Sequence, residues 1–250
     1  MRLSILVPVY NERAVVETSL AKVMDAPLPD GVEREIILVD DCSTDGTSAI
    51  LDRIVAAHPE MRLIKKPVNE GKGAAIRTAI AHATGDFCLV QDADLEYDPN
   101  EYSRLLRPLL DGHADAVFGS RYLAAEQSRV LPFWHSMINK TLTILSNMFC
   151  NLNLTDMETC YKLFSKEIMS QIAPTLQQER FGIEPELTAK VSAIPCRIFE
   201  MSISYHGRTY DEGKKIGIKD GFSALWCIAK YGFQSILARR RIKATRKRAK

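Results

Sequence analysis

The chain has 250 residues, 46% of them hydrophobic and 26% charged, with a formal net charge of +2. This is ordinary globular composition, enough for one large core or two joined lobes, and the small net charge leaves the molecule with no overall electrostatic preference, so nucleic acid is not an expected partner. The six cysteines (Cys42, Cys88, Cys150, Cys160, Cys196 and Cys227) are scattered with no C-x-x-C pair, which argues against a zinc site or a disulfide framework and for reduced thiols in the cytoplasm.

In chain order, the opening "MRLSILVPVYNE" is too short in its apolar part for a signal peptide and reads as a first strand entering a polar loop. "EREIILVDD", "MRLIKK" and "DFCLVQD" repeat the form, and "ADAVFGS" is a shorter fifth strand. Between them, apolar residues at spacings of three and four predict helices over residues 12–24, 46–57 and 71–83. Strand–helix alternation implies a mostly parallel sheet flanked by helices, and such sheets bind ligands beyond the carboxyl ends of their strands. Polar clusters follow three strands at that end: "PVYNE", "DDCSTDGT" and "DADLE".

The third cluster carries the sharpest question, because Asp92, Asp94 and Glu96 crowd the end of the apolar run Phe87–Val90. Carboxylates this close repel one another, and a bound divalent cation reverses that cost. Acids at a strand end also serve as turn formers, and a D-x-D motif alone does not decide between the two. In "DDCSTDGT", Ser43, Thr44 or Asp45 suits a helix cap, while Asp41 suits recognition of base N–H groups. "NEGKGAAIRTA" flanks a lysine with glycines but lacks the G-x-x-x-x-G-K-[ST] pattern, so an ATPase phosphate loop is not supported.

The second half is less regular. "WHSMINKTLTILSNMFCNLNL" and "GIEPELTAKVSA" read as helices, "CRIFEMSISY" as a strand and residues 205–221 as a charged, glycine-rich loop. Across residues 220–238, Phe222, Leu225, Trp226, Ala229, Phe233, Ile236 and Leu237 fall on one helical face, followed by the basic "ARRRIKATRKRAK". This pattern fits either a helix lying in a membrane surface or a helix packed on the domain with a solvated tail. No run of about 20 apolar residues is present, so an ordinary transmembrane helix is not expected. The division expected is residues 1–219 as one catalytic domain and 220–250 as an amphipathic helix and tail.

Taken in order, "VPVYNE", "ILVDDCSTDGT", "NEGKGAAIRTA", "QDADLEYDP", "GSRY", "LTDMETCYKLF" and "EGKKIGIKDG" resemble the family-two glycosyltransferases of the GT-A fold, in the branch of dolichyl- and polyprenyl-phosphate hexose synthases. The resemblance implies a Rossmann-like mostly parallel sheet and an inverting, metal-dependent hexosyltransferase. Pro8, Tyr10 and Glu12 would line the base and ribose pocket, Asp41 would hold the base, and Lys72 and Ala93 would lie beside the nucleotide. Asp92 and Asp94 would hold Mg2+ or Mn2+ at the donor diphosphate, with Glu96 where the family often has a Gln ligand. Arg121, with Arg129, would face the acceptor phosphate, and Asp156 would lie beside the donor sugar. Arg208, Lys214 and Lys215 would close over the diphosphate; without the resemblance each reads as a solvated surface charge.

A phosphate acceptor is already an anion and needs positioning more than a base, whereas an alcohol acceptor needs a base, for which Asp156 or Glu158 is the candidate. The donor expected is UDP-glucose or another UDP-hexose, then GDP-mannose, and the acceptor a polyprenyl or dolichyl phosphate. Many relatives in this branch carry C-terminal transmembrane helices; here the expected contact is peripheral, on the cytoplasmic face, directly or through a membrane partner subunit or a second copy. Transfer to another membrane lipid or a growing glycan is the alternative reaction. A non-catalytic nucleotide-sugar-binding scaffold is the alternative of another class, against which intact Asp92, Asp94 and Arg121 argue.

Overall fold

The structure, a computed structural model, describes residues 1–123, 129–208 and 218–248. Its strands are β1 (Arg2–Val9), β2 (Glu33–Asp40), β3 (Met61–Lys65), β4 (Phe87–Val90), β5 (Ala116–Ser120), β6 (Lys162–Ser165) and β7 (Ile198–Ser202). They form one sheet in the order β3-β2-β1-β4-β6-β5-β7. β1 pairs parallel with β2 and β4, β2 with β3, and β5 with β7; β6 alone runs antiparallel, to β4 and β5. The expected mostly parallel sheet is present. β6 is an addition to it, because "KLFS" is four residues long and opens with a charge, leaving no periodicity to read.

The helices are α1 (Val16–Asp25), α2 (Thr47–Ala57), α3 (Lys72–His82), α4 (Tyr102–Leu110), α5 (Phe133–Cys150), α6 (Lys166–Ile172), α7 (Ile183–Ser192) and α8 (Ile218–Arg248). β1 and β2 bury Leu3, Ile5, Leu6, Ile36 and Ile37 completely, and each such side chain contributes about 1.5–3 kcal/mol relative to exposure. Helix α1 starts later than its periodicity predicts. The amides of Asn11, Glu12 and Arg13 donate to Ser43 Oγ, Thr47 Oγ1 and Asp45 Oδ2, so they serve the loop after β2 instead of a first helical turn.

Helix α8 corrects the expectation at its end. The basic segment, expected as a tail either solvated or among lipid headgroups, continues the helix to Arg248. Its buried side is not the large apolar face but a smaller one, with Ala224, Cys227, Ile228, Tyr231 and Ser235. The first four of these residues share two apolar clusters with α5 and α7. A Cβ at Gly232 would lie 2.5 Å from Phe149 Cβ, so glycine is what allows α8 to approach α5 there. Arg239 donates to Phe149 O and, at 2.6 Å, to Cys150 O, satisfying carbonyls that the last turn of α5 leaves open. The small face packs on the domain, and the large apolar face, with Phe222, Trp226 and Phe233, is exposed.

Candidate active site

The chain leaves β1 toward β2 on one side and later returns to β4 on the other, so the sheet has its switch point between β1 and β4. The loops after β1, β2 and β4 meet at the carboxyl edge there. The first two are hooked together: Thr44 N donates to Asn11 Oδ1 at 2.8 Å, and Asn11 N to Ser43 Oγ at 3.0 Å. Pro8 is half-buried at this edge and Tyr10, 38% exposed, stands at its lip.

Asp41 is buried with its carboxylate engaged by the chain itself. Oδ1 accepts from Glu70 N at 3.0 Å, and Oδ2 from Gly71 N at 2.6 Å and Asn69 Nδ2 at 3.0 Å. Lys66 Nζ lies 3.5 Å from Oδ1. Asp41 thus fastens the 66–71 loop, which forms one wall of the cleft. The glycines of "EGKG" serve packing: a Cβ at Gly71 or Gly73 would lie 2.6 Å from the carbonyl oxygen of Glu179 or Gln178. Ala74 N donates to Glu179 O at 2.9 Å, so this amide at the start of α3 is taken by the chain itself.

Beyond β4 lies the acid cluster. Leu95 has φ 64°, a left-handed conformation that is costly for a bulky residue and characteristic of functional turns. This turn lets Asp94 Oδ1 accept from Glu96 N at 3.1 Å, while Ala93 is buried. Asp92 is tied to Lys72, whose Nζ lies 2.9 Å from it and 2.8 Å from Glu184 on α7. Burial opposes the charge of Lys72, but Asp92 and Glu184 outweigh it and raise its pKa. Arg208 crosses the remaining acids: Nη1 is 3.0 Å from Glu12 Oε2, Nη2 3.2 Å from Asp94 Oδ2, and Nε 3.6 Å from Glu96 Oε1. Glu96 also accepts from Arg208 N at 2.8 Å and from Tyr205 OH at 2.6 Å.

Negative charge still exceeds positive here. Burial, with the neighbouring charges of Asp92 and Glu96, pushes Asp94 up to about 7 despite Arg208. A hard divalent cation would relieve that repulsion, and carboxylates such as Asp92 and Asp94 are the oxygen donors it prefers. Glu96 is used differently from the sequence expectation, because its carboxylate anchors the 205–208 segment. Among the described residues no three His, Cys, Asp or Glu side chains converge as a ready metal nest.

A second charged pair lies at the end of β5. Arg121 meets Asp156 through two parallel bonds, Nε to Oδ2 at 2.6 Å and Nη2 to Oδ1 at 2.8 Å, and Arg121 N donates to Oδ2 at 3.0 Å. Their side chains are 6% and 0% exposed. The guanidinium carbon lies 5.0 Å from the Tyr205 ring centre and 5.9 Å from that of Tyr122. Burial pushes the Asp156 carboxyl up, but Arg121 outweighs it and holds the pKa below the usual range. Asp156 is therefore a poor base. Glu158, two residues on, is raised to about 7 by burial and the charge of Glu184, and its Oε1 is buried with no hydrogen-bond partner among the described residues. Arg129 donates to Gly207 O at 2.8 Å. Lys214 and Lys215 lie outside the described residues.

Glu184 and Tyr205 join the site without having stood out in the sequence. The two acids Glu184 and Glu186 in the first turn of "GIEPEL" are the one signal the sequence offers for Glu184; an isolated tyrosine in a strand gives none. Gln91 is a further addition: its Oε1 accepts from Tyr102 OH at 2.6 Å and Tyr161 OH at 2.7 Å, setting the floor under Asp92.

The sequence profile of Glycosyl transferase family 2 matches residues 4–173. An undecaprenyl-phosphate mannosyltransferase of Micrococcus luteus is 26% identical over 221 residues, spanning 87% of this chain and 88% of its own. A dolichyl-phosphate beta-glucosyltransferase of Dictyostelium discoideum is 26% identical over 240 residues, spanning 91% of this chain and 72% of its own. Among solved structures, glucosyl-3-phosphoglycerate synthase from Mycobacterium tuberculosis, in complex with Mn2+, UDP and phosphoglyceric acid, superposes with a TM-score of 0.69 at 20% identity, covering 92% of this chain and 78% of that one. That likeness supports the fold, a GT-A-like sheet flanked by helices. With the family profile spanning the sheet edge and its acid cluster, the chain belongs to glycosyl transferase family 2 and is a glycosyltransferase.

Proposed function

We propose that the protein moves a hexose from a nucleoside-diphosphate sugar to a polyprenyl phosphate at the cytoplasmic face of a membrane, by single displacement with inversion. The observation that carries this reading is the overcharged acid cluster at the β1–β4 switch point, one strand end from a buried arginine. The donor assigned first is a UDP-hexose, ahead of GDP-mannose; the relatives named above include both a glucosyl- and a mannosyltransferase. The free thiols of all six cysteines support a reducing compartment.

In this reading Asp92 and Asp94 would hold Mg2+ or Mn2+, which would supply stabilisation of the charge growing on the departing diphosphate. Arg208, held by Glu12, Asp94 and Glu96 at the same cleft, would be the basic group nearest that diphosphate. Lys72 and Glu184 keep Asp92 in position throughout. Arg121 is the cation nearest the acceptor side, held in one orientation by Asp156 and flanked by Tyr122 and Tyr205. An acceptor phosphate needs no proton removed, so the ion-paired Asp156 is no obstacle to the chemistry. Glu158 favours a second reading, transfer to a hydroxyl of another lipid or a glycan, because it alone of the two acids retains the basicity for proton abstraction.

The test is transfer of radiolabelled hexose from UDP-glucose and GDP-mannose to polyprenyl phosphate, with and without Mn2+ or Mg2+. Product requiring both cation and lipid phosphate supports the proposal. Product with a dephosphorylated polyprenol or an oligosaccharide, lost in Glu158→Gln, supports the second reading instead.

A further inference from the structure

Residues 155–161 run from Arg121 to the floor under Asp92. At one end Asp156 gives both oxygens to Arg121. At the other, Cys160 Sγ donates to the carbonyl of Val90, the last residue of β4, at 3.7 Å, and Tyr161 OH donates to Gln91 Oε1 at 2.7 Å. Glu158 stands midway, and the charges that act on it come from both ends: Glu184, which holds Lys72 beside Asp92, and the pair of Arg121 and Asp156.

The segment is fastened on either side of Glu158. Thr155 N and Asp156 N donate to Glu200 Oε1 at 2.8 and 3.0 Å, Met157 N to Thr143 Oγ1 at 3.0 Å, and Cys160 N to Tyr97 OH at 3.0 Å. Lys162 Nζ takes the carbonyls of Met157 and Thr159, the two neighbours of Glu158. Among the carboxylates of the cleft in the described residues, Glu158 alone has a buried oxygen, Oε1, with no hydrogen-bond partner. An unpaired buried oxygen is a cost to the fold, and one kept in a rigid frame suits a hydrogen bond that a ligand completes. The ligand's chemistry follows from the position. A carboxylate here repels a donor diphosphate beside Asp92 and an acceptor phosphate beside Arg121. The group that lies between the two in the transfer is the hexose, which is uncharged and carries hydroxyls that donate to such an oxygen. Asp156, expected beside the sugar, is already committed to Arg121.

We propose that Glu158 reads the donor sugar: its Oε1 accepts a hydrogen bond from a hexose hydroxyl away from the anomeric carbon, which makes Glu158 a specificity-determining residue for the sugar transferred. A site built to hydrogen-bond a hydroxyl discriminates strongly against the analogue that lacks it, because the protein group is then left unpaired. The inference rests on the phosphate-acceptor reading, in which no proton has to be removed and Glu158 is not needed as a base.

The test is calorimetric binding to the full chain in the presence of Mn2+, with UDP against UDP-glucose and GDP against GDP-mannose, each variant being read on the donor that wild type binds. Glu158→Ala is expected to bind the nucleotide sugar roughly tenfold or more weakly and the bare nucleoside diphosphate as wild type does. Glu158→Gln, whose amide oxygen still accepts, is expected to recover part of that loss. Among donor analogues that each lack one sugar hydroxyl, one is expected to bind wild type and Glu158→Ala equally, since the contact is already missing. An equal loss of nucleotide and nucleotide sugar in Glu158→Ala overturns the proposal and assigns Glu158 to the fold. No loss of either also overturns it and, where transfer is abolished as well, assigns Glu158 to proton abstraction. None of these measurements involves the acceptor. A wild type that binds the nucleotide sugar but transfers nothing to polyprenyl phosphate therefore refutes the function while leaving the sugar contact standing, and a wild type that binds neither nucleotide sugar refutes both.

Discussion

Two arginines in the cleft are answered by carboxylates in opposite ways. Arg121 has one acidic partner, and the pair is dry and balanced, with exposures of 6% and 0% and both oxygens of Asp156 matched to the guanidinium. Arg208 stands among Glu12, Asp94 and Glu96, with Asp92 close by, and its side chain is 17% exposed. The first arrangement has no charge left over. The second has more negative charge than its arginine can answer, which is why Asp94 rises to about 7 while Asp156 falls below its usual range. A balanced buried pair is a commitment of the fold; an overcharged cluster touching solvent keeps a repulsion that a bound cation would relieve.

The sharpest way to break this contrast is to remove one carboxylate from each arginine. Asp156→Asn leaves Arg121 buried and uncompensated, and is expected to cost about 3–5 kcal/mol of unfolding free energy in chemical denaturation. A loss under about 1 kcal/mol would show that Arg121 finds water or another acid and that the pair is not structural. Asp94→Asn is expected to lower cation-dependent transfer by about 10²–10³-fold with no fall in melting temperature, because it removes repulsion as well as a ligand. Retained transfer would take Asp94 out of the cation site.

Glu158 offers a pH test of the dry side. Its folded pKa of about 7 lies above the 4.5 of an ordinary glutamate, so between these values the folded state holds the proton more tightly. Its contribution to stability is full below about 4.5 and is lost as the pH rises through 7, a change of up to about 3 kcal/mol. Denaturation of wild type and Glu158→Gln across this range checks it: the stability difference between the two should change with that slope, and a constant difference refutes it. The smallest effect is expected for Glu12→Gln. Arg208 keeps Asp94 and Glu96, so stability should change by about 1 kcal/mol or less. A loss as large as that of Asp156→Asn would erase the distinction between the two clusters.

Much of the nucleotide half is legible in the sequence because its signals are local. The strands "LSILVPV", "EIILVD" and "FCLV" are short runs bounded by polar turns, and α2 and α3 begin within one residue of their periodic patterns. The acids at the end of β4 stand out in the sequence itself, because three carboxylates at the tip of an apolar strand need an explanation. The C-terminal half is less legible. β6 is stabilised by neighbours on both sides instead of its own composition, and Lys162, its first residue, is completely buried with Nζ donating to Met157 O at 2.7 Å and Thr159 O at 2.5 Å. A buried lysine satisfied by two carbonyls leaves no trace in a hydropathy pattern. Helix α8 is hard to read for a related reason: its larger apolar face suggests the packing side, whereas Gly232 and Ala224 mark the side where a second helix comes close.

The sequence by itself determined the strand–helix alternation, the polar loops at the carboxyl ends and the crowding of Asp92, Asp94 and Glu96, since each depends on neighbours within a few residues. Only the tertiary structure decided which charges meet: Arg121 with Asp156, Lys72 with Asp92 and Glu184, Arg208 with Glu12, and Asp41 with the 69–71 loop. These partners stand between 20 and 196 residues apart in the chain. Electrostatic partnership depends on distances of a few ångströms and on burial, and neither exists until the sheet and its helices have assembled.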